Sequence, residues 1–188
     1  MMEWDERLSF SISATTRAAR SGETEGKEYF FRSNEAFETM VNNNEMLEHA
    51  YVFGHYYGSP RKPVEEVINS GRDVIFDIDW QGGQQIKNSG LADNSVSIFI
   101  LPPSLNELRD RLFSRGQDAE KIINDRMRKC QDEISHWAEY DYCLVNNDLE
   151  STIRNLKSIF IAERLKRNRQ LYLLDVVKDL SKEAESFL

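Results

Sequence analysis

The sequence has little of what a metal centre, a disulfide scaffold or a membrane anchor requires. It contains two cysteines and three histidines in 188 residues, and neither set has the spacing of a metal or redox motif. We therefore expect Cys130 and Cys143 to be reduced and buried, and the histidines to be structural or at the surface. Apolar runs such as Ile98 to Leu101 are far too short to cross a bilayer. The first ten residues lack the apolar core of a signal peptide, so a cytoplasmic protein is the simplest interpretation.

Net positive charge is lacking too. The formal net charge is −8, and an acidic surface repels nucleic acid and anionic membranes. Neither is therefore expected as a partner, and an anionic substrate would need a local cluster of arginine and lysine. The length fits one domain, and 40 % hydrophobic with 30 % charged residues is ordinary for a globular protein. The sequence does not indicate an oligomeric state.

Hydrophobic patterning predicts an α/β domain with a parallel sheet flanked by helices. Strict alternation over Leu8 to Ser13 predicts a half-buried strand. Asp73 to Asp79 and Ser95 to Leu101 are nearly continuous runs of β-branched and aromatic residues, which is typical of strands buried on both faces. Helical segments separate these strands, and one of them begins with a capping box at Ser104 to Glu107. This alternation implies right-handed crossovers.

Residues 23–63 interrupt the alternation and are predicted to form an inserted lobe. Within it, Ser33 begins a short helix that carries Phe37, and Leu47 to Phe53 is extended. The segment from Gly54 to Pro63 is rich in glycine, tyrosine and proline, a composition that indicates a loop.

The C-terminal half is predicted to be mainly helical. One helical stripe of apolar residues is expected to face the core; it comprises Ile123, Met127, Cys130, Ile134 and Trp137. Tyr142 to Val145 is predicted to be a short strand. Two amphipathic helices follow, one around Ile153 to Arg167 and a last one that places Leu173, Val177 and Leu180 on one side.

Four groups of polar side chains could carry chemistry. The first leaves the end of the first strand, where two arginines three residues apart suit a phosphate because guanidinium groups bind its oxygens in pairs. The second surrounds the predicted loop, the third follows a buried strand at the end where α/β sheets place ligands, and the fourth lies on two later helices. Their members are, in order, Ser13, Arg17, Arg20, Glu23 and Tyr29; Glu48, Tyr57 and Ser59; Asp77 and Asp79; and Arg111, Arg115 and Arg126.

Taken singly, these groups have plainer interpretations. The first group also fits a solvated basic turn, and the second fits a surface acid beside a turn. The third fits a helix cap, and the fourth fits an exposed charged helix. Together and in this order, however, they resemble the guanylate kinase family. The resemblance spans about Leu8 to Arg167 and is carried by SISATTRAARSGETEGKEYFF, NNEMLEHAYVFGHYYGSPRKPVEE, VIFDIDWQGGQQI, VSIFILPPSLNELRDRL, RGQDAEKIINDRM, EYDYCLVNNDL and AERLKR.

The resemblance implies a fold and a reaction. The implied fold is α/β of the P-loop nucleoside-monophosphate-kinase type, with a GMP-binding lobe at 23–63, a lid region at 115–126 and a C-terminal helix at 168–188. The implied reaction transfers a phosphoryl group from ATP to GMP, with Mg²⁺ bound alongside the nucleotide. GMP and ATP are then the expected small-molecule partners.

The resemblance also implies roles for individual residues. The residues with which the family binds the GMP phosphate correspond to Arg17, Arg20, Tyr29 and Tyr57, within a motif that includes Glu23. Its contacts to guanine fall on Ser13, Glu48, Ser59 and Asp79, and Asp77 matches an acid beside the transfer centre. Its lid arginines, which close over ATP, fall on Arg115 and Arg126, and Asn146 matches a position near the adenine. Arg17, Arg115 and Arg126 are the expected catalytic residues.

One family motif has no counterpart in the 188 residues. The family begins with an apolar strand, a phosphate-binding loop of the form GxxxxGK[ST] and a helix, and the nearest approach, Gly22 to Glu28, has the wrong spacing. We therefore expect weak or no turnover from the chain as printed, and two strands of the sheet without their usual neighbour. The alternative is a non-catalytic relative that binds GMP or a phosphopeptide.

Overall fold

The computed structural model describes residues 1–114, 116 and 120–187. This part of the chain contains eight short strands, seven α-helices and three 3₁₀ turns. The strands are β1 Leu8–Phe10, β2 Ala14–Thr15, β3 Phe30–Phe31, β4 Met46–Val52, β5 His55–Pro60, β6 Asp73–Ile75, β7 Ile98–Leu101 and β8 Tyr142–Val145. The helices are α1 Asn34–Asn42, α2 Arg61–Asn69, α3 Trp80–Lys87, α4 Leu105–Ser114, α5 Glu120–Ser135, α6 Leu149–Arg164 and α7 Leu173–Glu185.

The predicted parallel pairing is present, but in two separate pieces. β1 pairs with β6, with Leu8 opposite Asp73, and β7 pairs with β8, with Ile98 opposite Tyr142. Within the described residues, no strand joins β6 to β7. The expectation that these strands are buried on both faces is wrong, because every residue of β6 is only half-buried and Ile100 of β7 is exposed. A two-stranded sheet has two open edges and little cover, which leaves such residues in contact with solvent.

The lobe contains a four-stranded sheet in the order β3-β2-β5-β4. The prediction of a loop from Gly54 to Pro63 is wrong. His55 to Pro60 forms β5, which pairs antiparallel with β4 in a hairpin closed between Val52 and His55. Glycine, tyrosine and proline are common in loops, but here Gly58 is required by close packing, since a Cβ there would lie 2.8 Å from the carbonyl oxygen of Glu48.

Two small cores hold the lobe and its neighbours together. In the first, Phe37 of α1 is 1 % exposed and packs with Ala14 and Met46. The side chain of Ser33 caps α1 by accepting a hydrogen bond from the backbone of Ala36 at 3.1 Å, as the sequence predicts. The second core contains Leu47, Val64 and Ile86, from β4, α2 and α3. Strand β4 therefore contributes to both cores, which fixes its position relative to α3.

The C-terminal half is less well packed than the sequence suggests. Ile123 is 2 % exposed, as its place in the apolar stripe predicts, but Trp137 is 52 % exposed. Helix α5 ends at Ser135, so Trp137 lies in the following 3₁₀ turn and leaves the stripe. Both cysteines are unbonded, and the expectation that they are buried is wrong, because Cys130 is half-buried and Cys143 is exposed.

The last helix makes few contacts. α7 has no buried residue, and the apolar side chains predicted to share one side include Val177 at 59 % and Leu180 at 58 % exposure. None of the described helices is long and apolar enough to span a membrane.

Candidate functional site

A buried acid and a buried hydroxyl face each other across the lobe hairpin. Glu48 on β4 and Ser59 on β5 are opposite in register, and they are 3 % and 0 % exposed. The Ser59 hydroxyl donates to Glu48 Oε1 at 2.7 Å. Burial raises the pKa of the Glu48 carboxyl, the nearby charge of Asp79 adds to the effect, and the Ser59 hydrogen bond opposes it. A carboxylate in such a place costs free energy unless a ligand offers it hydrogen-bond donors.

The first turn of α3 forms the wall behind this acid. A Cβ built on Gly82 would overlap Glu48 Oε2, so only glycine lets the helix come so close. The helix start is fixed by Asp79, whose Oδ1 accepts from the Gly82 backbone at 3.0 Å. Further along α3, the Gln85 side chain accepts from His49 N at 3.0 Å and donates to His49 O at 2.7 Å. Helix α3 and strand β4 are thereby held together around Glu48.

A second cluster lies where β2 leaves the sheet. The two Nη atoms of Arg17 donate to the two carboxylate oxygens of Glu23 at 2.9 and 2.8 Å, and this pair is largely buried, with side chains 12 % and 16 % exposed. The pair raises the pKa of Arg17 and lowers that of Glu23. Glu23 also accepts from the Arg20 backbone at 2.7 Å. One carboxylate therefore orients both ends of the segment that carries the two arginines.

Two tyrosines complete this cluster. The guanidinium carbon of Arg17 lies 5.2 Å from the centre of the Tyr29 ring, and the Tyr29 and Tyr57 rings are 6.0 Å apart, edge to face. Burial raises the pKa of the Tyr29 hydroxyl, and the charge of Asp77 is among the further causes. The charge of Asp77 thus acts on a tyrosine of this cluster, whereas Asp79 caps α3 at Gly82, which packs against Glu48.

The three residues expected to contact ATP are Arg115, Arg126 and Asn146, and the structure describes two of them. Arg126 on α5 has its guanidinium carbon 5.0 Å from the centre of the Phe53 ring, at the tip of the lobe hairpin. Asn146 directly follows β8, where its Oδ1 accepts from the Thr152 hydroxyl at 3.1 Å. Arg115 lies outside the described residues.

Relatives of the chain were identified by sequence and by structure. A family model described as guanylate kinase matches residues 1–163. The guanylate kinase of Cereibacter sphaeroides is 56 % identical over 183 residues, which cover 97 % of this chain and 87 % of that protein. That of Ruegeria pomeroyi is 55 % identical, with 98 % and 87 % covered. The crystal structure of guanylate kinase from Anaplasma phagocytophilum superposes with a TM-score of 0.79 at 40 % identity and covers 93 % of this chain and 85 % of that one.

The chain belongs to the guanylate kinase family. The likeness to the Anaplasma enzyme confirms the predicted α/β kinase fold, although the parallel strands are shorter than expected. The structure brings the residues expected at the GMP site into two adjoining clusters, one around Glu48 and one around Arg17. Ser13 adjoins the second cluster, since its backbone carbonyl accepts a hydrogen bond at 2.9 Å from Phe30, the neighbour of Tyr29.

Sequence reasoning missed three residues that shape the candidate site. Gly82 was passed over because the space it leaves is visible only when α3 is packed on β4. Gln85 was missed because its partner, His49, is distant along the chain. Phe53 was read only as the end of a strand. The sequence nevertheless contained a signal for Phe53. It precedes Gly54 in a two-residue hairpin turn, where asparagine is the favoured residue before glycine, so a phenylalanine there is unusual.

Proposed function

We propose that this chain is a guanylate kinase that transfers the terminal phosphoryl group of ATP to GMP and so forms ADP and GDP. The observation that carries the proposal is the buried Glu48–Ser59 pair at the centre of the lobe. Residues 23–63 are then the GMP-binding lobe, 115–126 belong to the lid and 168–188 form a C-terminal helical segment. A cytoplasmic role in purine nucleotide metabolism is part of the proposal, because both nucleotides are found there.

The buried acid suits guanine and opposes adenine. Guanine presents N1–H and a 2-amino group side by side, and a carboxylate accepts from both. Adenine presents an acceptor at N1 and would leave the buried carboxylate facing a lone pair. An unpaired buried acceptor costs about 1–3 kcal/mol, and more when it is charged. We assign Ser13, Ser59 and Asp79 to the same base-binding wall, with Ser59 orienting Glu48 through its 2.7 Å hydrogen bond.

The arginine cluster suits the phosphate of the same nucleotide. Arg17 and Arg20 supply positive charge, and the hydroxyls of Tyr29 and Tyr57 supply further donors. Glu23 holds the Arg17 guanidinium in one plane, which reduces the entropy lost when a phosphate binds. We assign Asp77, whose charge acts on Tyr29, to the place where the acceptor oxygen of GMP would meet the transferring group.

The ATP side rests on fewer observations. We assign Arg115 and Arg126 to the stabilisation of the transferring phosphoryl group and Asn146 to the adenine. Phosphoryl transfer needs little covalent chemistry from the protein, because positioning and charge neutralisation supply most of the rate. The described residues contain no cluster of His, Cys, Asp and Glu that could hold a metal ion. Mg²⁺ therefore enters the proposal only as an ion bound to the phosphates of ATP, and no ligand for it is assigned.

The alternative of a non-catalytic binding module is not favoured, because relatives matched over nearly the whole chain are named guanylate kinases. The expectation of weak turnover, which follows from the missing GxxxxGK[ST] sequence, stays a prediction.

A panel of monophosphates tests the base assignment without requiring turnover. Calorimetry with GMP, IMP and AMP should give affinities in that order, because IMP keeps N1–H but lacks the 2-amino group, and AMP lacks both donors. Each lost donor should weaken binding by roughly tenfold. Equal affinities for the three nucleotides would contradict the proposal, whatever the rate of transfer.

A further inference from the structure

The hairpin turn of the lobe carries an unfavourable residue. Phe53 and Gly54 connect β4 to β5, and both have positive φ, 49° and 89°, as in a type I′ turn. Such turns favour asparagine, aspartate or glycine at the first position. An aromatic residue is strained there, because its Cβ approaches the backbone in the left-handed region. Strain of this kind persists only where other contacts maintain it, and it is most frequent at functional positions.

The contact that maintains Phe53 comes from helix α5. The guanidinium carbon of Arg126 and the ammonium nitrogen of Lys129 each lie 5.0 Å from the centre of the Phe53 ring. Two cations within this distance of one ring form favourable cation–π interactions. The tip of the nucleotide lobe is thus joined to α5 through an aromatic side chain that the turn itself disfavours.

The geometry of the guanidinium allows a second contact at the same time. The guanidinium carbon of Arg126 lies over the ring, whereas phosphate oxygens bind N–H groups in the plane of a guanidinium. Helix α5 is fixed at Ile123, which is 2 % exposed and one helical turn before Arg126. Phe53 therefore contacts the guanidinium end of the Arg126 side chain, while the core holds the helix from which that side chain extends.

We infer that Phe53 is a positioning residue, which holds Arg126 where it meets the phosphoryl group being transferred and so couples the GMP lobe to α5. The inference rests on the proposed function. It assigns Phe53 no role in binding GMP itself, whose base and phosphate are held by Glu48 and Arg17. GDP differs from GMP by one phosphate, at the place of the transferred group, so its affinity reports on Arg126.

Phe53→Asn separates this role from a structural one. Asparagine suits the turn, so the variant should melt at the same or a higher Tm. Its affinity for GMP should change by less than about twofold, whereas its affinity for GDP should fall by roughly fivefold, the size of one cation–π contact. Arg126→Gln should show the same selective loss, and the double variant should lose no more than either single one. Calorimetry and a melting curve on each variant supply both readouts.

Two further variants serve as controls. Phe53→Trp keeps an aromatic face and should retain GDP affinity. Tyr51→Thr removes an exposed aromatic residue from the same hairpin, one whose ring lies tilted at 4.8 Å from that of Tyr56, and should alter neither affinity. Equal losses of GMP and GDP in Phe53→Asn, unchanged GDP affinity, or additive losses with Arg126→Gln would each overturn the inference. If the unchanged chain fails to bind GMP at all, the proposed function is overturned instead.

Discussion

The lobe that we propose binds GMP and the C-terminal half of the chain differ in how well their strands are covered. In the lobe, a four-stranded sheet surrounds two polar side chains that are almost fully buried, Glu48 and Ser59. In the C-terminal half, β7 and β8 form a sheet of two strands, and Ile100 and Val145 are about half exposed. The residues proposed to bind the base thus lie in the better-packed region, and those proposed to serve ATP lie in the more open one.

The ion pair at Arg17 and the ion pairs along α7 differ in burial. Arg17 and Glu23 form a two-pronged and largely buried pair, whereas the pairs along α7, such as Lys178 with Asp175, are 70–81 % exposed. Exposed pairs of this kind contribute between nothing and about 1 kcal/mol. The Arg17–Glu23 pair therefore orients a residue of the candidate site, while the charged residues of α7 mainly keep its surface solvated. The comparison predicts large effects in the lobe and small ones at the C-terminus.

The largest effect is expected for Gly82→Ala. The added methyl group would overlap Glu48 Oε2 and displace the acid from the base site. GMP affinity should fall by about a hundredfold, because overpacking at a buried contact costs about 1–3 kcal/mol. Gly83→Ala is the matched control, since its Cβ would meet only the Tyr140 hydroxyl at an ordinary 3.5 Å. If both variants bind GMP as the parent does, the tight packing of α3 against Glu48 is irrelevant to recognition.

A smaller effect is expected for Arg17→Lys. Lysine keeps the charge but cannot form the paired hydrogen bonds that Glu23 makes with the guanidinium. GMP should bind about tenfold more weakly, a loss of about 1.4 kcal/mol, and guanosine, which has no phosphate, should bind unchanged. Arg32→Lys is the control, because Arg32 pairs with Glu25 at an exposed position. An equal loss for GMP and guanosine would place Arg17 outside the phosphate site.

The smallest effect is expected on the last helix. Leu180 is 58 % exposed, so Leu180→Gln should change the free energy of unfolding by less than about 0.5 kcal/mol. Phe37→Ala, at a position that is 1 % exposed, should lower the free energy of unfolding by about 3–5 kcal/mol. Denaturant titration of both variants measures the two changes. A large loss from Leu180→Gln would mean that this face is covered in solution and would remove the contrast between the two regions.

Features set by local sequence were predicted well. Ser33 caps α1, and Ser104 accepts from the Glu107 backbone at 3.1 Å at the start of α4, because a capping side chain and its partner are close in the chain. The residues of the candidate site were predicted from motifs that occur in a fixed order, and their roles remain proposals. Arg115 lies outside the described residues, so its place is also a prediction.

Features that depend on distant residues were missed. Strand β5 looks like a loop in sequence, because its pairing with β4 and the close approach at Gly58 are tertiary facts. Gly82 and Phe53 were overlooked for the same reason, since each is explained only by a neighbour on another element. The burial of Cys143 was predicted wrongly because an apolar strand implies a covered face, and the two-stranded β7–β8 sheet leaves this residue exposed.

The central claim is that the buried Glu48 carboxylate selects guanine, and Glu48→Gln tests it most directly. Glutamine has nearly the same shape but offers one acceptor and one donor, which match the N6 amino group and N1 of adenine. Calorimetry on the parent and the variant should show a preference for GMP over AMP that falls by at least about tenfold, with some of the change arising from tighter AMP binding. A variant that keeps the parent's preference for GMP would contradict the account.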